Sequence, residues 1–145
     1  MKVINMDAKL LVKYHEGTKL FPYRDTVGIL TIGHGRNLQQ NGISAQEADY
    51  LLQNDLDRCQ KELNDKLPWF NTLNEPRKGV LIDMCFQLGI NGLLKFKNSL
   101  ELIKNGDWDK AADSLKLSLW AKQVPTRCIL NANIIKTGEW PTELN

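Results

Sequence analysis

The sequence predicts an α+β fold that is mostly α-helical: a small N-terminal lobe built around a β-hairpin, a long connecting helix, and a helical C-terminal lobe, with a cleft between the lobes. Three observations predict it. Apolar residues recur at three- and four-residue spacing along most of the chain, which is helical periodicity. Between Leu20 and Gly35 the period changes, so that Leu30 and Ile32 alternate with Ile29 and Thr31, and D-T-V-G marks a turn. Finally, Ser44 and Glu47 form a capping-box pattern ahead of a long apolar stripe.

The elements follow in order. Leu10, Leu11 and Tyr14 space a first helix over about 5–15, and Gly17 is its natural C-terminal stop. The hairpin comes next, then a polar loop, RNLQQNG. The capping box opens a helix carrying Ala48, Leu51, Leu52, Leu56, Cys59 and Leu63 on one face. It should run to about Lys66, roughly 33 Å at about 1.5 Å per residue, before Pro68 stops it.

Pro76 can open a helix bearing Val80, Leu81, Met84, Cys85 and Leu88, closed by Gly89 and the Asn91–Gly92 turn. Asn98 or Ser99 is expected to cap a short helix ended by Asn105–Gly106. Asp107 is expected to cap another, carrying Trp108, Ala111, Ala112, Leu115 and Leu119. A last helix starts near Pro125 and ends before Gly138. No repeat or linker separates independent domains, so 1–145 reads as one domain. Its N-terminal lobe covers about 17–60, the connecting helix about 45–66, and the C-terminal lobe about 67–145, on which the 5–15 helix should pack.

Composition narrows the function classes. A chain of 145 residues with 42% hydrophobic and 25% charged residues is ordinary for a soluble globular protein. A formal net charge of +2, with basic residues dispersed among acids and no aromatic–basic platform, argues against a nucleic-acid binder. Cys59, Cys85 and Cys128 are odd in number, far apart and set among apolar neighbours, which reads as core cysteine rather than a disulfide framework or zinc site. No His/Cys/Asp cluster has ligand spacing, so neither metal nor cofactor is expected. The N-terminus lacks an apolar signal segment and no run has the length of a membrane span. Synthesis in the cytoplasm without stable membrane association is therefore expected.

Chemistry concentrates in HEGTKLFPYRDTVGILTIGHGRN, from His15 to Asn37. Glu16 lies in the last turn of the first helix, where exposed carbonyls disfavour a carboxylate and favour its protonated, proton-donating form. A solvated glutamate at a fraying helix end is the competing reading. Asp25 at the start of D-T-V-G is either a reacting group or a turn residue bonding its own backbone. Thr31 is an ordinary strand residue by propensity. Their combination across a hairpin beside a helix end is more informative than any one of them.

That combination resembles a known family. E-x8-D-x5-T, with EG, Y-R-D-T and T-I-G-x-G in place, is similar to phage lysozymes of the T-even type, the endolysins of glycoside hydrolase family 24. The similarity continues through F-Q-L-G, N-G-L-L-K-F-K-N-S, G-D-W-D-K-A-A, W-x2-Q-x-P-x-R and T-G-E-W, in order along essentially the whole chain. The resemblance implies a lysozyme-like fold and a metal-free muramidase. Such an enzyme hydrolyses the β-1,4 bond between N-acetylmuramic acid and N-acetylglucosamine of peptidoglycan, for host cell lysis. It further implies that Glu16 protonates the leaving oxygen while Asp25 and Thr31 hold the attacking water. Gln87 and Ser99 fall at cleft-facing positions assigned to sugar contacts, and Arg127 at the position of an arginine that orients the glutamate.

The implied partners are peptidoglycan strands and a holin-type pore that gives a monomeric enzyme access to the wall. A catalytically silent wall-binding homologue and a lytic transglycosylase are the alternatives. The retained acid counts against the first and the retained water-holding pair against the second. In T-I-G-H-G-R, Arg36 stands where a histidine is frequent in the family, so a buried histidine–carboxylate pair is not expected. His34 and His15 read as structural or surface residues. The segments around Leu119 and Cys128–Leu130 are more apolar than the family pattern suggests.

Overall fold

A computed structural model describes residues 6–144 of the chain. The part of the first predicted helix at Asn5 lies outside the described residues. The chain divides into two compact units, Met1–Tyr50 and Leu51–Asn145.

The first unit is an α+β element. Helix α1, Met6–Glu16, ends where Gly17 takes φ 69° and donates its N–H to the Lys13 carbonyl at 2.8 Å. A side chain at that φ would be strained, so glycine is what lets the chain turn straight out of the helix. Strands β1 (Lys19–Arg24), β2 (Leu30–Gly33) and β3 (Arg36–Asn37) form an antiparallel sheet in that order. Thr31 is in the central strand, opposite Tyr23 on one side and Asn37 on the other.

The polar stretch expected to be a loop contains β3 and the one-turn helix α2, Leu38–Asn41. Asn37 both pairs with Thr31 and caps α2, its Oδ1 accepting the Gln40 N–H at 2.9 Å. The capping box is present: the Glu47 N–H donates to Ser44 Oγ at 3.0 Å and the Ser44 N–H donates to Glu47 Oε1 at 2.9 Å. Helix α3 then runs Ala45–Lys66.

The stripe predicted along α3 is only partly buried. Cys59 and Leu63 are enclosed, whereas Leu51 and Leu52 are exposed. Among the described residues of the first unit, Thr31 alone is buried. Backbone and polar side-chain bonding, rather than an apolar core, therefore holds the hairpin.

The second unit is helical and carries the hydrophobic core. A 3₁₀ turn, Phe70–Thr72, precedes α4 (Glu75–Leu93), α5 (Lys97–Lys104), α6 (Trp108–Lys116), α7 (Leu119–Gln123) and α8 (Pro125–Thr137). Phe70, Leu63, Leu81, Met84, Leu93, Ile103, Leu115 and Ile135 are fully enclosed. Truncating such a side chain to alanine costs about 2–5 kcal/mol. Cys59, Cys85 and Cys128 belong to this core, and burial, then a hydrogen bond with Cys59, pushes the Cys85 thiol up to about 12.

Three expectations for this unit change. The break at Gly89, φ 74° and ψ 161°, interrupts α4 without ending it, because residues 90–93 resume helical bonding. Phe96, not Asn98 or Ser99, is the N-cap of α5; Ser99 lies inside the helix and is buried. Leu119 is not on α6. The helix stops at Lys116, Ser118 Oγ accepts the Ala121 N–H at 3.2 Å to cap α7, and Leu119 is left 69% exposed. Gly138 closes α8 in the left-handed conformation, as its position predicts.

Candidate active site

Glu16 is the last residue of α1, and two neighbours fix its surroundings. His34 Nδ1 lies 2.8 Å from the Gly17 carbonyl oxygen and 3.2 Å from Thr18 Oγ1. A proton on Nδ1 donates to that carbonyl, tying the β2–β3 turn to the residue after Glu16. His34, expected as a structural or surface residue, makes this bond at an exposed position.

Gly35, in the same turn with φ 77°, lies close against the Glu16 carboxylate. A Cβ there would lie 2.6 Å from Glu16 Oε2 and 2.7 Å from its Cδ. Only a residue without a side chain leaves room for the carboxylate against the backbone. Gly35 belongs to the T-I-G-x-G motif, but nothing in the sequence assigns it this contact. Glu16, 19 positions earlier, carries no local signature that marks it as the neighbour.

An expected result follows at once. Gly35→Ala should lower turnover by about tenfold or more, since a misplacement of about 1 Å can cost about 10²-fold. The left-handed backbone strain should cost about 1–2 kcal/mol of stability. Gly33→Ala, at φ 71° with no atom near its added Cβ, supplies the strain without the contact. Turnover per folded molecule in the two variants separates the effects; equal losses would mean that the Glu16 contact is irrelevant.

Asp25 performs turn chemistry. Its Oδ1 accepts the Val27 N–H at 2.9 Å and the Ile29 N–H at 2.8 Å, and its backbone carbonyl accepts the Gly28 N–H at 3.0 Å. Oδ2 makes no protein hydrogen bond among the described residues, so half of the carboxylate is committed and half is open to a ligand. The Thr31 hydroxyl donates to the Ile29 carbonyl oxygen at 2.8 Å, which leaves its oxygen lone pairs able to accept from water. Asp25 and Thr31 thus converge on Ile29, one through its N–H and the other through its carbonyl. This couples the two side chains across one residue of β-hairpin.

Arg36 forms a two-pronged ion pair with Glu47 and donates to the Gly42 carbonyl oxygen at 3.3 Å. No histidine–carboxylate pair stands at that place. The Arg36–Glu47 pair, with both side chains exposed to screening water, adds little to stability.

The other three predicted residues all lie in the helical unit. Ser99 Oγ is 2.7 Å from Ser114 Oγ, which also accepts from Asn98 Nδ2 at 3.1 Å. Gln87 Oε1 accepts the Trp120 indole N–H at 2.8 Å, holding the buried Trp120 against α4. Arg127 donates from Nε and Nη2 to the two Asp83 carboxylate oxygens at 2.9 and 2.6 Å, and Asn131 Nδ2 donates to the same carboxylate at 2.8 Å. Hydrogen bonding to Asp83 holds Arg127 above its ordinary range. Asp83 has no signal in the sequence, because its partners are 44 and 48 residues away.

The chain matches a family model described as phage lysozyme over residues 13–129. It is 33% identical to a protein named probable T4-type lysozyme 1 of Dictyostelium discoideum, over 90% of this chain and 94% of the relative. Probable T4-type lysozyme 2 of the same organism is 31% identical over 90% and 94%. The pre-baseplate central spike protein Gp5 of Enterobacteria phage T4 is 30% identical over 92% of this chain but only 28% of its own length.

Proposed function

From a chain that belongs to the phage lysozyme family, and is therefore a glycoside hydrolase with the lytic, muramidase-type function of lysozymes, we propose a specific mechanism: inverting hydrolysis of the N-acetylmuramic acid–N-acetylglucosamine β-1,4 bond. Glu16 is the general acid, and Asp25 with Thr31 holds the attacking water. The observation that carries this reading is the arrangement around the hairpin. The Glu16 carboxylate packs on Gly35, in the turn that follows the Thr31 strand, while Asp25 and Thr31 meet at Ile29.

The chemistry divides by residue. Protonated Glu16 delivers its proton to the glycosidic oxygen as the C1–O bond breaks, so the sugar alcohol leaves neutral. A water hydrogen-bonded to Asp25 Oδ2 and Thr31 Oγ1 attacks C1 from the opposite face, and its proton passes to the aspartate. Gln87, Ser99 and Arg127 are proposed to belong to the substrate-binding surface. Action by a monomer that reaches the wall through a holin-type pore after synthesis in the cytoplasm belongs to the same proposal.

Mass spectrometry of fragments released from purified murein tests the reaction class. Muropeptides ending in reducing N-acetylmuramic acid, each heavier by one water than the 1,6-anhydro form, are the expected products. Anhydro ends would assign the chain to transglycosylation, and reducing N-acetylglucosamine ends would assign it to the other glycosidic bond.

A further inference from the structure

Among the described residues the Glu16 carboxylate makes no hydrogen bond and no ion pair with the protein. Its place is set by backbone on two sides: the end of α1, which carries it, and Gly35, which lies against it. Whatever holds those two pieces of backbone together therefore holds the acid.

The turn that carries Gly35 has little stiffness of its own. Gly33 and Gly35 both take positive φ, 71° and 77°, and a Cβ added at Gly33 would meet nothing within 4 Å. Glycine leaves such a backbone many conformations to choose from. His34, between the two, supplies the only side chain of the G-H-G turn.

That side chain reaches back 17 residues to the end of α1, with Nδ1 2.8 Å from the Gly17 carbonyl oxygen and 3.2 Å from Thr18 Oγ1. A carbonyl oxygen only accepts, so the proton is on Nδ1 and the neutral ring is the Nδ1–H tautomer. Thr18 Oγ1, at the longer distance, accepts from the same N–H. Nε2 makes no hydrogen bond among the described residues. Among those residues, no other side-chain hydrogen bond joins 14–18 to 33–36.

We propose, on the reading of Glu16 as the general acid, that His34 is its positioning residue. The imidazole clamps the Gly33–Gly35 turn to the end of α1 and so keeps Gly35 against the carboxylate. His34 acts through the backbone at Gly17 and Gly35 and carries no proton in the reaction. Magnitudes separate this role from ordinary stabilisation. Water competes for an exposed hydrogen bond, so its loss changes unfolding little. A reacting group misplaced by about 1 Å can lose about 10²-fold in rate. The clamp therefore shows in turnover far more than in melting temperature.

Three substitutions in the full chain, assayed on a soluble glycan oligomer, test it. His34→Ala should lower kcat about tenfold, with KM and melting temperature close to wild type. His34→Asn sets an amide nitrogen on Cγ, where Nδ1 is attached, and should restore most of kcat. His34→Gln carries its amide one bond farther out, nearer the place of Nε2, and should not. The contrast between the two amides reads out even where alanine lowers stability. Nitrogen NMR of the imidazole, at a pH where the ring is neutral, should show the Nδ1–H tautomer.

Wild-type kcat in His34→Ala, or a loss confined to KM, would overturn the proposal. So would failure of asparagine to restore kcat, rescue by glutamine, or a ring protonated on Nε2, because the clamp requires a donor at Nδ1. Failure of the mechanism itself reads differently. Glu16→Gln turning over at the wild-type rate removes the acid, whereas an inactive Glu16→Gln beside a fully active His34→Ala removes only the positioning role.

Discussion

Replacing Glu16 with glutamine should abolish clearing of purified murein while leaving a folded protein. The amide keeps the shape of the side chain packed on Gly35 but has no acidic proton for the leaving oxygen. General acid catalysis is worth about 10²–10⁴-fold, and a poor alkoxide leaving group places this case toward the upper end. Stability should hold or rise slightly. Glu16 is the last residue of α1, and removing an anion from a helix C-terminus gains about 0.3–1 kcal/mol. Loss of activity with an unchanged or higher melting temperature is the expected pair of readings. A folded Glu16→Gln protein that clears murein at the wild-type rate would remove Glu16 from the chemistry.

The second large effect separates the two tasks of Asp25. Asp25→Ala removes the acceptor of the Val27 and Ile29 N–H groups, and a bond to a charged acceptor contributes about 1.5–3 kcal/mol. Alanine should therefore lower both turnover and hairpin stability. Asp25→Asn retains a carbonyl oxygen for those two amides and loses only the capacity to take a proton. Its melting temperature should stay close to wild type while turnover falls by about 10²-fold or more.

Thr31→Val keeps the buried strand side chain and loses the hydroxyl, so it should also cut turnover more than stability. Turnover per folded molecule, set beside thermal unfolding, checks all three variants. If Asp25→Asn turns over normally, the aspartate serves the turn alone.

These variants also show where the sequence was legible. Signals that act within a few residues could be read directly: the Ser44–Glu47 capping box, the D-T-V-G turn, Gly17 and Gly138 as helix stops, and Pro76 and Pro125 as starts. Each satisfies or removes backbone hydrogen bonds locally. Glu16, Asp25 and Thr31 were legible as candidates because a motif of fixed spacing held them, while their local preferences alone favoured ordinary roles.

Pairings over long separations were not legible. Asp83 binds Arg127 and Asn131 from another helix, and Gly35 leaves space for Glu16. No periodicity encodes either contact. Short elements were missed for a different reason. A two-residue strand and a four-residue helix carry too few residues for a pattern, and Asn37 serves both. Leu119 fitted the α6 stripe by spacing, yet the helix ended at Lys116 and left it outside.

The central claim is that one acid and one held water act on opposite faces of the sugar. Retention through a covalent intermediate needs two carboxyl groups about 5–5.5 Å apart, whereas inversion leaves room for water at about 6.5–9.5 Å. With its Oδ1 committed to the Val27 and Ile29 amides, Asp25 has Oδ2 left for the water that the proposed mechanism assigns to it and Thr31. Proton NMR of the freshly cut reducing end, recorded before mutarotation, reads the outcome directly. The account predicts that the α anomer of N-acetylmuramic acid appears first; an initial β anomer, or a glycosyl ester trapped on Asp25, would contradict it.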